Sequence, residues 1–235
     1  MADVLHLAYL PNGSFVLPII ARLQGSAKPE VRALGQKWHG SDLSRLGASL
    51  STKITMLGLL ARRLYSKLIP LAAELARHPD LGEMVKKGYA WVPSQRELPY
   101  EALLELDSFV FEFRSAYEIL GKFLRAFSKD ILGKPVGEQD QLKVLEAPGI
   151  PTAWARELQE RRKFLFHEHA PWLSYRIMRV DPLDAEPVFL AHVDADPDDL
   201  SEAIPVSTPQ SIYSGFDSAL KELQAWALRE ITALE

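Results

Sequence analysis

Cysteine is absent from the chain. Disulfides, thiolate zinc sites and a cysteine nucleophile are therefore excluded, whatever the compartment. Long apolar runs are missing too. The most apolar stretch, about residues 54–61, falls far short of the roughly 18 residues that a membrane span requires. The first residues carry Asp3 where a secretory signal wants basic side chains, and their apolar run breaks at Pro11-Asn12-Gly13. A cytoplasmic protein with no membrane partner is the expectation. Several enzyme signatures are also lacking: the phosphate loop closing in Lys-Ser/Thr, G-x-G-x-x-G, H-E-x-x-H and G-x-S-x-G. Nor is there an excess of positive charge. Lys and Arg number 27 against 31 Asp and Glu, a net charge of −4, which excludes a broad basic coat for nucleic acid.

What the sequence does hold is an ordinary globular composition. Its 235 residues are 47% hydrophobic and 25% charged, enough apolar surface to offset the ordering of the chain. Helical periodicity is the clearest pattern. Leu103, Leu106, Val110, Phe113, Tyr117, Leu120, Leu124 and Phe127 alternate spacings of three and four. That seam predicts a helix over about 100–127, begun after Pro99 and closed near Gly133. Leu43, Leu46, Leu50, Leu57, Ala61, Leu64, Leu68, Leu71 and Leu75 predict an earlier helix, with Ser41 or Asp42 as N-cap. Pro70 falls inside it and should kink or split it. A third helix is expected from Pro151-Thr152, with Thr152 as N-cap, through Trp154, Leu158 and Leu165 to Ala170-Pro171. Ile212, Phe216, Ala219, Leu223, Trp226 and Leu234 mark the last helix.

Between those two helices the period changes. Residues 172–180 and 187–193 are short and rich in β-branched and aromatic residues, and the 181–186 connection is polar, which reads as a β-hairpin. Residues 194–202 carry five acids and no base, a solvated loop. Residues 1–40 show no clean period. The expected fold is therefore mainly α: a four-helix bundle over 41–235, a β-hairpin inserted at about 172–193 before the last helix, and an irregular N-terminal arm over 1–40.

One dense constellation carries chemistry: Arg156, Arg161, Arg162, Lys163, His167, Glu168 and His169. Trp154, Leu158, Arg161 and Leu165 follow spacings of four, three and four, so Arg161 occupies a position that the pattern reserves for an apolar side chain. A guanidinium there either faces an open cleft, pairs with an acid, or snorkels out of the core. Asp107, Phe111, Arg114 and Glu118 form a stripe beside the hydrophobic seam and offer such acids. The same charges also suit an ion-paired, purely structural role. His167 is able to move protons near neutral pH, and an adjacent arginine to stabilise charge on a phosphoryl transition state. Together they suit metal-free RNA cleavage by attack of the ribose hydroxyl on its neighbouring phosphate. A helix-terminal cap is the plainer role for the same residues. One ideal helix would set Arg162 and His167 about 140° apart, so they converge only if the helix unwinds near Phe166 or the site is shared between two chains. His167 and His169 would share a face on a strand, but His6, His39, His78 and His192 have no clear spacing to them. No metal and no cofactor are expected.

Four helices with Arg162-Lys-Phe-Leu-Phe-His167 at the end of the third, preceded by Arg161, resemble the HEPN superfamily of small helical domains. The wording His-Glu-His-Ala-Pro-Trp-Leu-Ser after that motif, and Leu-Asp-Ser-Phe-Val-Phe-Glu-Phe-Arg-Ser-Ala-Tyr-Glu upstream, are similar to bacterial HEPN-like proteins. The resemblance covers roughly residues 41–170 and 210–235. It implies a homodimer in which arginine and histidine meet across a two-fold axis as a metal-independent endoribonuclease site. The implied catalytic residues are His167, Arg162 and Arg161, supported by Asp107, Arg114 and Glu118. Active members usually carry Asn, Asp or His after the arginine, whereas Lys163 follows Arg162; with Arg161 as the family arginine, Arg162 takes that slot. The implied settings are toxin–antitoxin and phage-defence systems, with RNA as substrate and an antitoxin or other protein as partner. Inactive members bind RNA, nucleotides or proteins, so a non-catalytic interaction module is the alternative. Local charge permits either reading. Residues 156–163 carry four bases against two acids, a small cationic patch in an acidic chain.

Overall fold

The computed structural model describes residues 15–83, 97–137, 141–163, 172–178, 188–194 and 203–235. The chain is mainly helical, with one small antiparallel sheet. In chain order the elements are α1 (Leu17–Gln24), α2 (Pro29–Lys37), α3 (Asp42–Ala76), α4 (Leu98–Asp130), α5 (Gln141–Glu146), α6 (Ala153–Lys163), β1 (Trp172–Met178), β2 (Val188–Asp194), β3 (Ile204–Pro205) and α7 (Thr208–Leu234). Two compact units form, the first from Met1–Met56, Ser115–Thr152 and Asp217–Glu235, the second from Leu57–Arg114 and Ala153–Phe216, over their described residues.

The first unit corrects the expectation of an irregular arm. Residues 17–37 form two short helices, each with a proline in its first turn. Proline suits that position because its missing N–H has no intrahelical acceptor there. Helices of eight and nine residues bury only Ile19 and Leu23, or Val31 and Gly35, so no period had room to develop. They are held as part of the unit. The Phe15 ring lies 5.5 Å edge-on from Phe123, and Trp38 lies 6.3 Å from the same ring. Gln224 Nε2 donates to the Phe15 carbonyl at 2.7 Å, and Lys28 Nζ to the Leu234 carbonyl at 2.8 Å. Arg22 pairs with Glu235. Phe123 stacks on Phe127, which meets Trp226 at 5.6 Å. Side-chain capping favours Ser41 over Asp42: Ser41 Oγ accepts the Ser44 N–H at 3.2 Å. Asp42 instead pairs with Arg45.

Pro70 does not split α3, which runs continuously through it. The proline is exposed and near the helix end, where the Ser66 carbonyl that loses its donor is within reach of water.

In the second unit β1 and β2 pair in antiparallel register from Trp172 opposite Asp194 to Met178 opposite Val188. The hairpin expected at 172–193 is thus present in its strands; the 181–186 connection and residues 195–202 lie outside the described residues. β3 adds a short third strand, with His192 opposite Pro205 and Val193 opposite Ile204. Two residues ending in proline give no alternation to read. The α4 helix exceeds its expected span by two or three residues at each end.

Candidate functional site

The polypeptide enters α6 through a tight reversal. Gly149 has φ +78°, its N–H donates to the Glu146 carbonyl at 2.8 Å, and the Ile150 N–H reaches the Leu145 carbonyl at 3.3 Å. This double closure is a Schellman motif, and the positive φ favours glycine. Thr152 is buried just ahead of α6 and donates its hydroxyl to Glu146 Oε1 at 2.9 Å.

Within α6, Trp154, Ala155 and Leu158 are buried. The Trp154 ring lies 5.9 Å from Phe113 of α4 and 5.0 Å from Phe216 of α7, and those two phenylalanines are 5.0 Å apart. Close approach depends on Gly215, where a Cβ would stand 2.7 Å from Trp154 Cβ. Ser211 of α7 donates to Glu157 at 3.4 Å. The helix is thereby fixed along the stripe that begins at Trp154 and Leu158, and the next position of that stripe is Arg161. Arg161, Arg162 and Lys163 close the described part of α6. His167, Glu168 and His169, together with Leu165 and the expected stop at Ala170-Pro171, lie outside the described residues.

The three supporting residues lie on α4 beside the buried seam. Asp107 and Arg114 are exposed and Glu118 is half-buried. Asp107 and Arg114 share the exposed face of α4 with Tyr100, Leu104 and Phe111, which are 74%, 64% and 64% exposed. Partial burial raises the Asp107 carboxyl above its ordinary value of 3.8.

One buried charge escaped the sequence reading. Glu105 is buried on α4, its side chain 8% exposed, and pairs at 2.6 Å with Arg63 of α3, whose side chain is 66% exposed. One turn away Lys67 pairs with Glu101. The signal was available: Ala102, Glu105 and Phe109 follow three-then-four spacing on a buried stripe, the misfit pattern that singled out Arg161. Near this seam Tyr65 donates its hydroxyl to Gln210 Oε1 at 3.0 Å, and burial pushes its phenol up.

A recess between α4, α6, β2, β3 and the start of α7 is lined by Leu106, Phe109, Leu158, Val193, Ile204 and Ile212, among others. Its free volume is about 20 Å³, room for about one water, and far below the roughly 300 Å³ of a small-molecule site. Its chemistry is that of core packing. Among the described residues no group of three His, Asp or Glu could hold a metal ion, and no helix is long and apolar enough to cross a membrane. No family model, curated protein or solved structure matches the chain.

Proposed function

We propose that the protein is a HEPN-like dimeric helical protein that cleaves RNA without metal through Arg161, Arg162 and His167. The observation that carries this reading is the placement of α6. Trp154 and Leu158 are buried on one stripe, and the next position of that stripe is Arg161, with Arg162 beside it in sequence. A buried stripe whose next position in the sequence is Arg161 breaks its own apolar pattern, and such breaks concentrate at functional sites.

In the proposed reaction the ribose hydroxyl attacks the adjacent phosphorus. A new oxygen–phosphorus bond forms as the bond to the leaving oxygen breaks, leaving a ribose cyclic phosphate and a strand with a free terminal hydroxyl. His167 transfers the proton, and the arginines stabilise the added charge on the phosphoryl oxygens. Sharing the site between two chains removes the need for one helix to bring residues about 140° apart together. Incubating single-stranded RNA with wild type, Arg161→Ala and Arg162→Ala in the presence of chelator tests the arginine roles. Loss of at least a hundredfold in rate with either variant supports the reading; full activity in both contradicts it.

A second reading, a non-catalytic interaction module, is favoured by the apolar face on α4 and the net charge of −4. It requires intact RNA in the same assay and lower melting temperatures in the arginine variants.

A further inference from the structure

We draw no further inference here: the strongest candidate, the exposed apolar face of α4 around Tyr100, Leu104 and Phe111, carries nothing because nothing in the structure shows what covers it.

Discussion

Gly215 has a strict role. With 2.7 Å between its would-be Cβ and Trp154 Cβ, any side chain pushes α7 away from α6 or drives the indole off its ring partners. Gly215→Ala should cost about 1–3 kcal/mol in spite of alanine's better helix propensity, visible as a drop in melting temperature; an unchanged or higher value would contradict the packing described. Arg63 and Glu105 show a different dependence. Removing Arg63 strands a buried carboxylate, but water reaches the guanidinium side of the pair. Arg63→Ala should therefore cost about 1–2 kcal/mol, below the range for fully buried pairs. Adding Glu105→Gln should recover most of that loss, as a double-mutant cycle by thermal or urea unfolding would reveal. Residue by residue, the sequence exposed misfits and hid partners: Glu105 interrupts an apolar stripe as visibly as Arg161 does, yet its partner Arg63 lies 42 positions away, and no local spacing links them.

Elements were legible in proportion to their length. The unbroken seam of α4 was readable because eight apolar positions repeat over seven turns, and the hairpin because two short segments rich in aromatic and β-branched residues flank a polar connection. Two-turn α1 and α2 and two-residue β3 hold too few periods to stand out. The charged stripe of α4 was legible as lying beside the seam, but its degree of exposure was not. Periodicity gives the angle of Asp107 from the seam but not how far neighbouring elements cover that angle, and Asp107 is exposed. Its raised carboxyl pKa carries a consequence for pH. The folded state binds that proton more readily than the unfolded chain, so this carboxylate weakens folding above its raised pKa and ceases to do so as pH falls through that value. In dilute solution Asp107→Asn should melt at or above wild type near neutral pH. That advantage should shrink towards about pH 4. A variant melting well below wild type at neutral pH would contradict the assigned cause.

At the scale of the whole molecule, charge and function separate. A net charge of −4 excludes a broad nucleic-acid coat, while residues 156–163 gather four bases against two acids on and beside α6. The mainly helical architecture and the inserted hairpin could be read from the chain. The site could be read only as a motif, since a single sequence carries no period that says whether Arg162 and His167 converge. Cleavage of single-stranded RNA in chelator by wild type and His167→Ala, compared side by side, tests the account most directly. Wild type should generate cyclic-phosphate ends and His167→Ala should be at least a hundredfold slower while keeping its melting temperature; equal cleavage by the two proteins, or none by wild type, would contradict it.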